Sequence, residues 1–204
     1  MASTTFVYDY FDQDELYINL TNQCTNHCDF CIRYTPTGVE NEDLWLEYEP
    51  TVEEVEIALI MKEFYQRKEI VFCGYGEPTI RYEEMIEICK FIRAENPGAK
   101  IRLNTNGHGN EWACENICPR LEGLIDQVSI SMNASDGKKY DEMCHCIYGE
   151  DGYSYMLEFA EEAKKYIPSV VLSVVDVIPP EEIEICRKRA EEIGVDFRVR
   201  HYIE

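Results

Sequence analysis

The chain reads as an α/β protein built on a parallel sheet, and three observations carry that expectation. Short runs of strand type recur six times along the 204 residues. Longer stretches with apolar residues at helical spacing separate them, and Gly, Asn or Pro marks most of the junctions. Repeated strand–helix units imply a parallel sheet covered by helices. Periodicity alone leaves open whether the sheet is doubly wound or a partial barrel.

The elements follow in order. Leu16–Leu20 alternates apolar and polar residues, makes the first strand and ends at a cysteine-rich loop. Thr51 caps the next helix, with Glu54 three residues on, and apolar spacing runs from Val52 to Phe64. Glu69–Cys73 is a buried-type strand leading into Gly74–Pro78. A helix from Tyr82 to Ala94 stops at Asn96-Pro97-Gly98, and the strand Lys100–Asn104 closes on Thr105-Asn106-Gly107. A helix is expected over Glu111–Leu121, a strand over Gln127–Ser131 and a helix over Tyr153–Tyr166. Val170–Val177 is the most apolar strand, Pro180 opens a helix to Ile193, and Asp196–Arg200 is the last strand. No linker divides the chain, so a single domain over residues 1–204 is expected.

Composition excludes more than it identifies. Forty acidic residues against 19 basic ones give a formal net charge of −21. That field repels nucleic-acid phosphates and anionic membranes, so neither is expected as a partner. It favours a cationic ligand or a basic protein, with plain solvated helix faces as the other explanation. No run is apolar enough to span a bilayer and no secretory pattern opens the chain, which gives a cytoplasmic expectation. In that compartment ten cysteines stand for thiols and metal sites, not a disulfide framework.

Three of those cysteines are Cys24, Cys28 and Cys31, with three and then two residues between them and Phe30 just before the last. An all-sulfur set favours zinc or iron–sulfur chemistry, and three ligands are one short of a closed tetrahedron. For zinc the fourth would be His27, inside the same loop. At the carboxyl ends of the strands, where α/β folds carry their sites, stand four more segments: Gly74–Pro78, Asn104–Gly107, Ser131–Asn133 and Asp176.

The cysteine spacing, followed one strand–helix unit later by Gly74-Tyr75-Gly76-Glu77-Pro78, resembles the radical S-adenosylmethionine (SAM) superfamily. The resemblance implies a partial (β/α)6 TIM-type barrel. It implies a [4Fe–4S] cluster on Cys24, Cys28 and Cys31, with one iron open to the amino and carboxylate groups of SAM. It places Phe30 against the adenine and gives Gly74, Tyr75, Gly76 and Glu77 the methionyl group. Asn106, in a Thr-Asn-Gly segment, reaches the ligand or caps its strand. Ser131 and Asn133 hold the ribose or carboxylate, and Asp176 follows Val174 and Val175 where the family's strand lies against adenine. The activity implied is reductive cleavage of SAM to a 5′-deoxyadenosyl radical that abstracts hydrogen from a substrate. A flavodoxin- or ferredoxin-type electron donor would serve it, and no catalytic residue on the chain follows. An activase of a glycyl-radical enzyme, or a non-catalytic iron–sulfur or zinc module, are the competing classes.

Over nearly its full length the chain also resembles the short TatD-associated radical SAM proteins. The carrying segments are 24–31, 74–79, 103–108, 129–134 and 173–178. A TatD-type hydrolase as partner, or a peptide or protein as substrate, is the corresponding expectation. The stretch Tyr34–Leu46, with Trp45 and several acids, is the expected lid, and its charge points to a basic substrate. Arg198 and Arg200 either place a guanidinium inside the barrel, against the SAM carboxylate or a substrate anion, or face outward. Cys114, Cys118, Cys144 and Cys146 leave a second cluster open. Cys144 is also placed to donate hydrogen to a substrate radical, while Cys73 and Cys89 read as packing.

Overall fold

Seven strands lie side by side in chain order in the computed structural model, which describes residues 6–10, 12–35 and 43–202. They are β1 (Val7–Tyr10), β2 (Asp12–Ile18), β3 (Glu69–Phe72), β4 (Lys100–Thr105), β5 (Gln127–Ser131), β6 (Ser169–Val175) and β7 (Asp196–Arg200). From β2 to β7 all pairs are parallel, with Glu15 beside Glu69, Phe72 beside Leu103, Asn104 beside Ser129 and Ser173 beside Arg198. β1 is the exception. It runs antiparallel to β2, Val7 facing Ile18, and extends one edge by a strand that the alternation at Leu16–Leu20 did not announce.

Alternate residues along each strand face opposite sides, and the two sides have different chemistry. Leu16, Ile18, Ile70, Phe72, Ile101, Leu103, Val128, Ile130 and Leu172 join the buried side chains of the helices in one large core. Those helices are α1 (Val52–Met61), α2 (Tyr82–Glu95), α4 (Gly137–Cys144), α5 (Asp151–Ala163) and α6 (Pro180–Ile193), with a short α3 (Gly109–Ala113). On the other side Tyr17 and Val71 pack with Tyr8, Leu44 and Tyr75 in a small apolar cluster that contains no helical residue. Strand order without reversal and helices on one face select a barrel wall over a doubly wound sheet. The architecture is therefore the partial TIM-type barrel, six parallel strands plus one antiparallel edge strand.

Local signals explain most boundaries. Thr51 and Glu54 form a complete capping box: the Thr51 hydroxyl accepts from the Glu54 N–H at 3.2 Å, and the Glu54 carboxylate accepts from the Thr51 N–H at 2.8 Å. α6 ends at Gly194, whose φ of 79° is the left-handed turn that glycine tolerates. Two expectations are corrected. Residues 111–121 do not form one helix: α3 stops at Cys114, φ 54°, and a 3-10 turn follows over Cys118–Leu121. Pro119 lacks the N–H that a continuous helix needs, and the Asn110 side chain takes the Ile117 N–H instead. α4 itself was not expected. It is eight residues long, capped by Asp136, and buries only Tyr140 and Cys144, too few positions to show a helical period.

Candidate active site

The loop carrying Cys24, Cys28 and Cys31 leaves the carboxyl end of β2 and is strapped from two sides. On one side the Glu77 N–H donates to the Gln23 carbonyl at 2.7 Å. A Cβ on Gly76 would sit 2.2 Å from the Thr21 carbonyl and 2.6 Å from that of Gln23, so glycine is required for the approach. On the other side the His27 N–H donates to the Cys144 carbonyl at 2.7 Å and the Asp29 N–H to Met143 at 3.1 Å. The Ile147 N–H donates to Thr25 at 3.0 Å, and His145 lies 2.8 Å from the Asp29 carboxylate. The loop is thus held between the Gly74–Pro78 turn and the carboxyl end of α4.

Beneath it runs a buried polar network. Glu77 accepts four hydrogen bonds: from the Thr79 N–H (3.1 Å) and hydroxyl (2.7 Å), the Thr105 hydroxyl (2.7 Å) and the Asn106 N–H (2.7 Å). Burial pushes its carboxyl up, and those donors pull it back toward the ionised form. The Asn106 side-chain amide donates to the Thr25 hydroxyl at 2.7 Å and lies 3.7 Å from Cys24 Sγ. Thr25 donates onward to His108 Nδ1 at 2.8 Å, which leaves Nε2 to carry the proton and donate to the Gly152 carbonyl at 2.9 Å. Burial brings His108 down to about 4, so this imidazole is neutral. Asn26 donates to the Tyr140 hydroxyl at 2.8 Å.

The thiols sit on this platform half-buried. Burial pushes Cys24 up to about 12 and raises Cys31. Cys28 is raised most by a hydrogen bond shared with the buried thiol of Cys144, and by burial. The Arg33 guanidinium, two residues past Cys31, opposes all three shifts and lies over the rings of Tyr34 and Trp45. Among the described residues no three His, Cys, Asp or Glu side chains gather around one point that could hold a single ion. His27 is exposed.

The remaining expected residues divide. Ser131 and Asn133 come together: the Arg200 guanidinium donates to the Ser131 hydroxyl at 3.2 Å and to Asn133 Oδ1 at 3.3 Å. Asn133 holds a left-handed φ of 57° and its amide lies 4.0 Å from Cys144 Sγ. Asp176 does not join them. Its carboxylate is exposed, lies 2.7 Å from His201 Nδ1 and accepts from the Tyr202 N–H at 2.8 Å. Tyr75 is buried against Trp45, ring centroids 5.3 Å apart, so its side chain is packing. Phe30 is half-buried and leans on the main core. A groove of about 580 Å³ between α3 and α5, lined by Cys114, Glu111 and Glu158, lies on the helical outside.

The model of the radical SAM superfamily matches residues 18–191. The chain belongs to the radical SAM superfamily. It is 30% identical over 170 residues to a probable GTP 3′,8-cyclase of Thermococcus kodakarensis, covering 82% of this chain. The chain spans about half the length of that relative, 50%. Among solved structures it superposes on HydG, a maturase of the [FeFe]-hydrogenase, with a TM-score of 0.67 at 18% identity, over 93% of this chain and 42% of that one. Streptococcus suis SuiB bound to S-adenosylmethionine gives 0.64 at 17%, over 92% and 38%. A radical SAM methyltransferase from Sphaerobacter thermophilus gives 0.63 at 14%, over 96% and 68%. These likenesses carry the fold.

A radical SAM domain implies a [4Fe–4S] cluster and SAM, and the donor set here fits them. A cubane takes each thiolate on a different iron, so it asks for three sulfurs on one open loop, which the half-buried Cys24, Cys28 and Cys31 provide. The Asn26 N–H, 3.4 Å from Cys24 Sγ, and the Asn106 amide are N–H donors of the kind that tune cluster sulfurs. The Glu77 side chain ties its own turn to Thr105 and Asn106 at the end of β4 and so fixes the loop, while Asp176 faces the β7 exit. The four other expected thiols have separate surroundings: Cys114 is exposed by α3, Cys118 lies near Asn110, Cys144 meets Cys28, and Cys146 lies 4.0 Å from His108. The expected lid lies mostly outside the described residues; Leu44 and Leu46 are tied to Asn19 and Asn22. Arg33 and Tyr140 escaped the sequence analysis because neither stands in a motif, and Thr25 and Asn26 passed unnoticed inside the cysteine segment because their partners lie far along the chain; Cys144 was singled out, but not its contact with Cys28. His108 was seen only as the end of the 103–108 segment.

Proposed function

We propose that this chain is a radical SAM enzyme that holds a [4Fe–4S] cluster on Cys24, Cys28 and Cys31 and cleaves SAM reductively. The observation that carries it is the three-thiol loop, clamped at the carboxyl mouth of a family-matched barrel with the Gly74–Pro78 turn against it. When bound, the cluster and SAM would supply the radical chemistry that abstracts hydrogen from a substrate. The chain's own residues do the rest. Asn26 and Asn106 direct N–H groups at a ligand sulfur. Glu77 fixes the turn whose backbone would meet the methionyl group. Phe30 keeps an open side for adenine, and Ser131 and Asn133 stand where a ribose would lie. Arg33 places positive charge beside the thiols and assists their ionisation, which metal loading requires.

Ten unpaired thiols fit a reducing, cytoplasmic setting and a small electron-transfer protein as the reductant. The segment resemblance to the TatD-associated group supports a TatD-type hydrolase as a functional partner. Anaerobic reconstitution with iron and sulfide is the test. Visible cluster absorbance should appear, and dithionite plus SAM should yield 5′-deoxyadenosine. Replacing any one of the three cysteines with alanine should abolish both. Stoichiometric zinc, or a full cluster without cleavage of SAM, would end the proposal.

A further inference from the structure

The interior face of the sheet carries more positive charge than its carboxylates neutralise. Arg102 is matched there: its guanidinium lies 2.8 Å from Glu69 and 3.2 Å from Glu15. Arg198 and Arg200, at alternate positions on β7, form no ion pair among the described residues, in a chain with 40 acidic residues to 19 basic. Their partners are neutral oxygens. Arg198 donates to the Ser129 hydroxyl at 2.9 Å, and Arg200 donates to Ser131 and Asn133. Arg200 Nε is buried without a partner, and so is Asn104 Oδ1 on the same face of β4. Arg198 is exposed and Arg200 half-buried with its Nε out of reach of water, and holding that N–H among neutral groups is costly unless an anion completes the site. The Ser131 hydroxyl and the Asn133 amide oxygen both engage Nη2 of Arg200, which leaves its Nε–H and Nη1 to donate to an oxyanion.

We propose that Arg200, backed by Arg198, receives a carboxylate or phosphate of the substrate inside the barrel. The word substrate rests on the radical SAM reading; the anion site itself does not. Arg200 stands at the carboxyl end of its strand, the end that carries the cysteine loop, so an anion held there lies at the same end of the barrel as the thiols. The inference reverses the expectation of a basic substrate drawn from the acidic surface. That surface repels the ligand at long range, so its association should quicken as salt screens the field.

Titration calorimetry on the full-length protein tests it, both metal-free and after anaerobic reconstitution, using inorganic phosphate and acetate at ionic strength fixed with sodium chloride. The wild type should bind at least one of the two oxyanions at a single site, and the tighter one names the source. Arg200→Gln should weaken that binding at least tenfold and Arg198→Gln by less, while Arg200→Lys, which keeps the charge but not the fork, should fall between. Binding of neither ion by the wild type, or equal binding by Arg200→Gln, would overturn the proposal. So would an Arg200→Gln protein whose SAM affinity drops tenfold with anion binding intact, since the arginine would then serve the methionyl carboxylate. Failed reconstitution would count against the cluster reading alone, because the metal-free titration decides the anion site.

Discussion

The two faces of one sheet are built from alternate residues of the same strands, yet they obey different rules. The helix-facing side is continuous hydrocarbon, Leu16, Ile70, Leu103, Val128 and Leu172 packed with five helices. The interior side holds Glu15, Glu69, Arg102, Ser129, Arg198 and Arg200, joined by hydrogen bonds and ion pairs. One face gains its free energy by leaving water. The other gives up some stability to keep charge and hydrogen-bonding groups ready for a ligand, as functional sites do.

That contrast can be broken or sharpened by substitution. The largest effect should come from Glu77→Ala, which strands four donors around a buried void; urea unfolding should show a loss of about 4 kcal/mol. A loss below that of an ordinary core truncation would mean that water replaces the carboxylate. Next, Leu103→Ala on the helix side should cost about 3 kcal/mol, against about 1 kcal/mol for Ser129→Ala on the interior side of the neighbouring strand. Equal costs would erase the distinction between the faces.

A third test uses pH. His108 is held down to about 4, while the unfolded chain titrates near the ordinary value of about 6.5. Between those values the unfolded state binds the extra proton. The contribution of the neutral imidazole is therefore complete above about pH 6.5 and is lost as pH falls toward 4. From about pH 7 to pH 5 the loss should be about 2 kcal/mol. The difference between wild type and His108→Asn, melted in urea at both values, isolates it. An identical pH response in the variant would show that the histidine is not titrating alone. The smallest effect should be a gain: Arg200→Met removes an unmatched cation from the interior and should raise stability by on the order of 1 kcal/mol. A clear loss instead would make the arginine a structural residue.

How much of this was legible in the sequence follows from the range of each interaction. The parallel strands and the long helices α2, α5 and α6 announce themselves through local period, and the cysteine and Gly74–Pro78 motifs through spacing. α4 is invisible because it buries two residues, and β1 because its pairing is specified by the neighbouring strand. The choice of barrel over open sheet is a choice of which face the helices cover, and local period is silent on that. The site's supporting network is equally non-local. Nothing at Thr25 foretells His108, and nothing at Cys28 foretells Cys144. Glu77 shows how a motif residue can be plain while its surroundings are not: its position was legible, its four internal donors were not.

The clamp on the cysteine loop sets an order of events. Thr25, Asn26 and Asp29 take partners from His108, Tyr140 and His145, which are 83, 114 and 116 positions downstream. While the nascent chain is still short of those residues, its three sulfurs belong to a floppy segment with nothing to grip. The proposed cluster would therefore find its loop in place only once the chain as far as His145 has folded.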